Sequence, residues 1–344
     1  MNVMAKKGRK SRPPRGKMLL SPPPEPLGRA PRTDLKIHAG QLDELTFTAS
    51  EVVGTALAGV LGESTSLDEM RRLSTRRQML RAMVDTHRSV RRLVGSGTEE
   101  MELSLDALPL VRVQLERCFL ALLLEDNPTR WHGRYRKNAW KAFAEKFFRD
   151  RTALGHLEPY REYFGPSGVG VELLMRLARE MDVSNDEFQT LRVQVTGEEP
   201  DPRFKQWFIA DMPTPGRCLQ QLKDPTHQRL ATLLYPAYDN LSHFSHGGLV
   251  GAMEAAILRK ELVEDTEQQR QRFWFRNVLE FALPASYVSI LFVATLFARA
   301  YLHTPGVRKA LLAAWRPYHS DGSPLGIVLW DAWAGELLTG QGAT

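Results

Sequence analysis

Hydroxyl, carboxylate and imidazole side chains recur along one predicted helix near residues 226–247. At roughly 100° per residue, four of them fall within about 60° of one another around the helix. The four are Tyr235, Asp239, Ser242 and His246. Tyr238 and His243 border this face, which we call the polar stripe. Side chains of these types can move protons, hold a phosphate or ligate a metal ion, so the polar stripe is the first candidate site.

A second predicted helix, opened by Pro109, carries one charged pair inside an apolar run. Arg112 and Glu116 stand four residues apart, which makes them neighbours on the helix surface. Buried ions without partners are unfavourable, so we expect this pair to find partners within the protein. The polar stripe can supply them. We predict that Asp239 and His246 meet this pair across a helical bundle.

Together the two helices resemble a bacterial family of unknown function, DUF fifty-six seventy-seven. The resemblance rests on an R-x-x-x-E motif, Arg112 and Glu116, and on a Y-x-x-L-S-x-x-x-H motif more than a hundred residues later. The second motif consists of Tyr238, Leu241, Ser242 and His246. The similarity spans about residues 100–300. It implies an all-helical bacterial protein and brings no established activity.

We interpret these residues first as a buried hydrogen-bonded network that fixes the register of the helices. The first alternative is a metal-independent ribonuclease similar to the HEPN kind. In that case His246 acts as acid and base, and Arg112 stabilises the charge of a phosphate. Glu116 and Asp239 would orient these two groups, and Tyr238 is a further catalytic candidate.

The sequence departs from the HEPN pattern, in which an arginine precedes the histidine by a few residues. No arginine lies four to six residues before His243 or His246. Arg81 and His87 have the spacing, but Ala82 follows the arginine where a polar residue is usual. His87 also falls on the apolar face of its helix, so we expect it to be a hydrogen-bonded core histidine.

A metal site is the second alternative for the polar stripe. Asp239 and His243 are four residues apart, His246 follows three residues later, and Glu116 would reach across from the other helix. These side chains are a plausible nitrogen and oxygen ligand set. The paired Glu-x-x-His motifs of di-iron bundles and the HExxH motif of zinc proteases are absent from the sequence. We therefore disfavour a metal and predict no cofactor.

Helices must position these residues. Apolar residues recur at helical spacing from about residue 40 onward, and no segment sustains a period-two alternation. We predict an all-α multi-helix bundle with a disordered, basic and proline-rich N-terminal tail. The predicted tail covers residues 1–36 and is followed by an N-terminal helical region, 37–196. A proline-rich loop, 197–217, leads to a C-terminal helical region, 218–344, that packs on the first.

The net charge of +6 is concentrated in the predicted tail. Residues 1–36 hold ten Lys or Arg against Glu25 and Asp34, a net charge of +8, which leaves −2 for residues 37–344. A proline-rich segment of this composition cannot bury enough apolar surface to fold. Weak contact with nucleic acid or anionic lipid is therefore expected of the tail and not of the folded body.

Residues 281–298 are the most apolar part of the chain. Eighteen residues without a charge reach the lower limit of a membrane-spanning helix, but a central helix surrounded by others is apolar for the same reason. We favour a core helix, with membrane association through this segment as the alternative. Cys118 and Cys218 form no CxxC pair, and no secretory signal opens the chain, so a reducing cytoplasm is expected.

Taken together, these features predict a cytoplasmic helical protein that acts by binding an unknown protein partner. The polar stripe would then serve as internal scaffold. Composition and motifs leave open whether the protein is an enzyme and what its oligomeric state is.

Overall fold

A computed structural model describes the following residues: 35–64, 66–95, 103–165, 168–199, 203, 205–245, 267–320 and 323–340. The chain divides into two units, residues 1–40 and 41–344, and the first contributes only the start of one helix to the described part. Every regular element in the described residues is a helix, which confirms the predicted all-α class. The predicted disordered tail, 1–36, lies outside the described residues except for its last two.

Seven α-helices make up the first half of the described chain, and we number them in chain order. They are α1 (Leu35–Glu63), α2 (Leu67–Gly95), α3 (Ala107–Asp126), α4 (Pro128–Leu154), α5 (Arg161–Phe164), α6 (Val169–Glu180) and α7 (Asn185–Thr196). Short 3-10 turns precede α3 at Leu103–Asp106 and α5 at Glu158–Tyr160.

The second half continues with α8 (Pro215–Gln221), α9 (Pro225–Ser245), α10 (Glu267–Trp274), α11 (Leu283–Ala298), α12 (Pro305–Ser320), α13 (Pro324–Leu329) and α14 (Gly335–Thr339). A π-helix, Phe275–Ala282, joins α10 to α11, and a second one, Trp330–Ala334, joins α13 to α14. The 3-10 turn Arg299–Tyr301 ends α11.

Side-chain caps set where several helices begin. At α7 the Ser184 hydroxyl accepts from the Glu187 N–H while the Glu187 carboxylate accepts from the Ser184 N–H, which confirms the predicted capping box. At α2 the Ser66 hydroxyl accepts from the Glu69 N–H at 3.4 Å, as the sequence pattern predicts. Asn127 caps α4 by accepting from the third N–H of that helix.

The large core of the molecule forms around α11. Fifteen of its sixteen residues are buried, among them Tyr287, Phe292 and Phe297. Helices α2, α3 and α12 pack against α11, and α3 packs in turn against α9. Because α11 is enclosed on all sides, it needs no polar face, and its sequence accordingly carries no amphipathic pattern.

A smaller core lies between the C-terminal half of α4 and the helices α5, α6 and α7. Its buried members are Trp140, Ala144, Phe147, Phe148, Phe164, Leu174, Ala178, Leu191 and Ile209. We call residues 140–211 the small lobe. Helix α4 belongs to both cores, since Trp131 in its first turn packs in the large one.

The end of α3 determines where α9 starts. The fully buried carboxylate of Asp126 accepts from the backbone N–H groups of Lys223 and Asp224 at 3.0 and 2.8 Å. It also lies 3.3 Å from Nδ1 of His227. These contacts hold α9 beside α3 and so position the polar stripe against the helix of Arg112.

The structure differs from the sequence-based boundaries in two places. Helix α8 begins at Pro215, inside the predicted loop 197–217, because a proline in the first turn of a helix loses no hydrogen bond. Helix α1 begins at Leu35, several residues before the expected start. A further helix predicted over 249–262 lies outside the described residues.

Within the part of the chain that the structure describes, two helices are long and apolar enough to cross a membrane, Gly40–Glu63 and Phe275–Tyr301. The share of each apolar window that is buried inside the protein is 28% for the first and 89% for the second. The second value is that of a core helix, but core helices and membrane spans pass the same test of length and composition. Both localisations therefore stay predictions.

Candidate functional site

Arg112 and Glu116 meet the polar helix at Tyr238. Nη2 of Arg112 lies 3.0 Å from Oε1 of Glu116 and donates to the Tyr238 hydroxyl at 3.2 Å. The guanidinium carbon is also 5.4 Å from the centre of the Tyr238 ring, a cation–π distance. We call Arg112, Glu116 and Tyr238 the arginine cluster. The structure thus brings together three of the residues singled out in the sequence.

The arginine cluster is partly open to solvent. The side chain of Arg112 is 14% exposed and that of Glu116 is 34% exposed. Nε of Arg112, by contrast, is buried and has no hydrogen-bond partner among the described residues. A buried guanidinium N–H without an acceptor is rare in proteins, and it leaves the cluster one donor that a ligand oxygen could satisfy.

Aromatic rings hold Tyr238 in place. The ring of Phe119 on α3 stands edge-on to Tyr235 at 6.5 Å and to Tyr238 at 5.8 Å. The two tyrosine rings lie 6.0 Å from each other. Aromatic pairs of this geometry are favourable, and the rings restrict the direction in which the Tyr238 hydroxyl points.

The rotation of α9 turns Asp239 and His243 away from the arginine cluster. Leu234 and Leu241 are buried against the large core, so the neighbouring Tyr238 faces α3. Asp239 and His243 are exposed to solvent. The predicted contact of Asp239 with the Arg112 pair is therefore wrong, because the apolar residues of α9 set its rotation and turn Asp239 outward.

Two predicted residues remain, and of these the structure describes only Ser242. The Ser242 hydroxyl donates to the Tyr238 carbonyl within α9. His246 lies outside the described residues, so the predicted metal set of Glu116, Asp239, His243 and His246 is incomplete in the structure. No group of three or more potential metal ligands occurs among the described residues.

A second polar cluster, which the sequence patterns did not single out, lies inside the large core. Its members come from four helices and we call it the core polar network: Asp43, His87, Gln114, Ser286 and Tyr287. Nε2 of His87 lies 3.2 Å from Oδ1 of Asp43, and Nδ1 lies 2.7 Å from the Ser286 hydroxyl. The Tyr287 hydroxyl donates to Oδ1 of Asp43 at 2.6 Å.

The network continues beyond these three contacts. The Gln114 amide donates to the Met83 carbonyl at 2.9 Å, which turns its oxygen toward the Ser286 hydroxyl. Ser286 has one hydroxyl hydrogen, and it can be donated either to Gln114 or to His87. At the rim, Nε of Arg91 donates to the second oxygen of Asp43 at 3.1 Å. The predicted hydrogen-bonded core histidine is thereby confirmed for His87.

Burial and hydrogen bonding set the charge states in the network. Burial alone would raise the pKa of Asp43, but the hydrogen bonds from His87 and Tyr287 and the charge of Arg91 outweigh it and lower the pKa. Burial lowers the pKa of His87 more than its hydrogen bond to Asp43 raises it. Burial and the bond to Asp43 raise the pKa of Tyr287. Asp43 therefore carries the negative charge at neutral pH, and Arg91 balances it.

Ser286, His87 and Asp43 are the residue types of a hydrolase triad. In a triad the serine hydroxyl must reach a substrate carbonyl. Ser286 and His87 are both fully buried, so a substrate cannot reach them. The network therefore joins α1, α2, α3 and α11 and fixes their register.

One signal in the sequence could have pointed to this network. Ser286 stands in the apolar run 281–298, and Gln114 stands between Val113 and Leu115. A polar residue inside a segment that must be buried needs a hydrogen-bond partner. The sequence alone does not say which partner, because the contacts join residues as far apart as His87 and Ser286.

Comparison with known proteins found no match: no protein-family model, no curated protein and no solved structure is similar to this chain. The resemblance to the DUF fifty-six seventy-seven family stays a prediction from its two motifs.

Proposed function

We propose that this protein acts by binding a protein partner and that the small lobe provides the binding surface. Among the described residues ten large hydrophobic side chains are exposed, and seven belong to the small lobe. The seven are Leu157, Tyr160, Tyr163, Val169, Met175, Trp207 and Phe208. Single exposed apolar residues are ordinary, whereas a concentration of them on one part of a protein is typical of an interaction surface.

Two adjacent aromatic residues make the strongest part of this surface. Trp207 is 58% exposed and Phe208 is 62% exposed. Both line a groove of about 280 Å³, together with Leu191 and Ile209 of the smaller core. The rest of the lining is polar, and exposed aromatic side chains within a polar surround are typical of the centre of a protein–protein interface.

Hydrogen bonds to α4 and α7 hold the backbone that carries these aromatic residues. The Trp207 N–H donates to the Thr190 hydroxyl at 3.0 Å. The Ala210 carbonyl accepts from Asn138 at 2.6 Å and from Nε of Arg134 at 3.1 Å. The exposure of the two rings is therefore a property of the folded lobe, and a preformed surface loses less conformational entropy on binding.

Charged pairs border the groove. Nζ of Lys141 lies 2.7 Å from Asp211, and Nζ of Lys137 lies 2.8 Å from Glu187. In both pairs the charges neutralise each other. A partner that inserts an apolar side chain between Trp207 and Phe208 would therefore bury an apolar centre inside a polar rim.

The test compares the full chain with Trp207→Ala/Phe208→Ala and with a control, Leu67→Ala. Leu67 is as exposed as Trp207 but lies outside the small lobe. We expect a defined partner to cross-link to the wild type and to the control. The purified partner should bind the double variant at least tenfold more weakly than it binds the wild type. The proposal is contradicted if the three proteins cross-link to the partner equally, or if the double variant binds the partner as tightly as the wild type. Circular dichroism checks that each variant is folded.

A second candidate function is metal-independent cleavage of RNA at the arginine cluster. The unpartnered Nε of Arg112 favours it, since a guanidinium donor without an acceptor is suited to a phosphate oxygen. His246 would move the proton, as the sequence predicts. The partly exposed Glu116 and the Tyr238 hydroxyl are in contact with Arg112 and would orient it.

Cleavage of labelled single-stranded RNA tests this candidate. We expect activity in the presence of EDTA for the wild type, and loss of activity in Arg112→Gln and His246→Ala. Arg117→Gln is the matched control on α3, because Arg117 binds the Ala82 carbonyl and the Thr86 hydroxyl and not the cluster. RNA left intact by the wild type removes the candidate and leaves the arginine cluster as part of the scaffold.

A cytoplasmic location is part of the proposal. The burial of residues 281–298 in the large core supports it, because these side chains are already covered by protein. Membrane association through the same segment would require α11 to leave the core.

A further inference from the structure

His132 is a buried side chain without a partner. It lies in α4 and is 5% exposed. Neither of its ring nitrogens makes a hydrogen bond to a described residue. A buried polar group that forms no hydrogen bond costs free energy, and a bound water or ion is one explanation for such a group in a native protein.

The face of α4 that carries His132 meets α2. Thr129, His132 and Arg136 share that face, because they are spaced by three and four residues. Nη2 of Arg72, on α2, donates to the Thr129 hydroxyl at 3.4 Å. Arg72, Thr129 and His132 therefore lie along the contact between α2 and α4, which we call the seam.

Positive charge surrounds the imidazole. Burial, and then the charges of Arg76, Arg72 and Arg136, lower the pKa of His132 to about 4. The ring is therefore neutral at pH 7 and has one N–H to donate. An arginine-rich environment that disfavours a cationic histidine favours an anion at the same place.

Arg72 differs from the neighbouring arginines, which have carboxylate partners. Arg76 forms two bonds of 2.7 Å to Glu125. Arg71 and Arg136 share the Asp182 carboxylate at 2.7 and 3.2 Å, and Asp68 lies 3.9 Å from Arg71. Among the described residues, no carboxylate lies within ion-pair distance of Arg72. Its only hydrogen bond there is the long contact with Thr129.

The seam also lies at the first turn of a long helix. Thr129 is the second residue of α4, which has 27 residues, so the positive end of the helix dipole points to the same place. An unpaired guanidinium, an unpaired imidazole N–H, a hydroxyl and a helix N-terminus thus converge between α2 and α4.

We propose that this seam binds an oxyanion of the phosphate class through Arg72, Thr129 and His132. The Arg72 guanidinium pairs with the phosphate, the His132 N–H donates to a second oxygen, and the Thr129 hydroxyl donates to a third. The ligand satisfies both the unpartnered imidazole and the unpartnered cation. Free phosphate and the phosphodiester backbone of a nucleic acid have this chemistry in common.

The test measures binding of inorganic phosphate to the full chain by calorimetry at constant ionic strength. We expect the wild type to bind and Arg72→Gln to bind at least tenfold more weakly. The matched control is Arg77→Gln, an exposed arginine five residues along α2, which should bind as the wild type does. An eight-nucleotide single-stranded RNA, titrated in parallel, distinguishes a nucleic-acid source from free phosphate.

A second variant separates ligand binding from folding. His132→Phe keeps the ring volume and removes the unpartnered nitrogens, so its melting temperature should be no lower than that of the wild type, while phosphate binding is lost. The basic N-terminal tail is present in every variant and cannot account for a difference between them. No binding of phosphate or RNA to the wild type would overturn the proposal. Binding that survives in both Arg72→Gln and His132→Phe would also overturn it.

Discussion

The arginine cluster and the core polar network are built from similar side chains but differ in how their hydrogen bonds are completed. In the core polar network His87 has a partner for each ring nitrogen, and both Ser286 and His87 are fully buried. In the arginine cluster Glu116 is a third exposed, and Nε of Arg112 has no partner among the described residues. The first region completes its hydrogen bonds internally, with Asp43 and Arg91 about a quarter exposed at its rim, whereas the second keeps an unused donor.

The difference teaches which of two polar regions can act on other molecules. A buried network with completed hydrogen bonds specifies how helices fit together, since any change of register breaks several bonds at once. A cluster with an unused donor and a route to solvent can bind a ligand. We therefore assign a structural role to Asp43 and its partners and keep Arg112 as a candidate for binding.

The largest effect is expected from Asp43→Ala. The change leaves the Tyr287 hydroxyl, a His87 nitrogen and Arg91 without their shared acceptor, and a broken buried pair of this kind costs about 3 kcal/mol. Urea denaturation measures the loss of unfolding free energy. The adjacent, exposed Glu44→Ala should change it by less than about 0.5 kcal/mol. If Asp43→Ala and Glu44→Ala lower the unfolding free energy equally, the core polar network has no special structural role.

Acid should lower the stability of the fold through its buried histidines. The pKa of His87 and of His132 is lowered by burial, so the unfolded chain binds more protons and stability falls as pH drops from about 6.5 toward 4. For His132, with a pKa of about 4, the loss between pH 7 and pH 5 is up to about 2 kcal/mol. His132→Phe should flatten the pH dependence of the unfolding free energy, measured by urea denaturation at pH 7 and pH 5.

Two serines on α11 sharpen the comparison further. Ser286→Ala leaves Nδ1 of His87 and the Gln114 oxygen without a partner and should cost about 1.5 kcal/mol. Ser289 is equally buried, but its hydroxyl donates only to the Ala285 carbonyl of its own helix, so Ser289→Ala should cost about 0.5 kcal/mol or less. If the order of the two costs is reversed, the network does not stabilise the core.

The smallest effect is expected in the arginine cluster. Tyr238→Phe removes the hydroxyl that accepts from Arg112, but water can replace it at this partly exposed site, so the cost should be about 0.5 kcal/mol. Tyr235→Phe is the control on the same helix. A loss of several kcal/mol in Tyr238→Phe would show that the cluster is as structural as the core polar network.

Much of the fold could be predicted because its determinants are local. The capping box at Ser184 and the caps at Ser66 and Asn127 act within one turn of the chain. The pairing of the Arg112 helix with the helix of Tyr238 was also predictable, since a charged pair in an apolar run requires polar partners. The partner chosen was Tyr238, not Asp239, because buried Leu234 and Leu241 set the rotation of α9.

The sequence by itself determined that this protein is helical, where several helices begin and which segment is apolar enough for its centre. Only the tertiary structure decided that Asp43, His87 and Ser286 share one network, that Trp207 and Phe208 stay exposed, and that His132 is left without a partner. The physical reason is the range of the interactions. Helix periodicity and caps depend on residues within a few positions, whereas burial and side-chain pairing depend on which helices pack together.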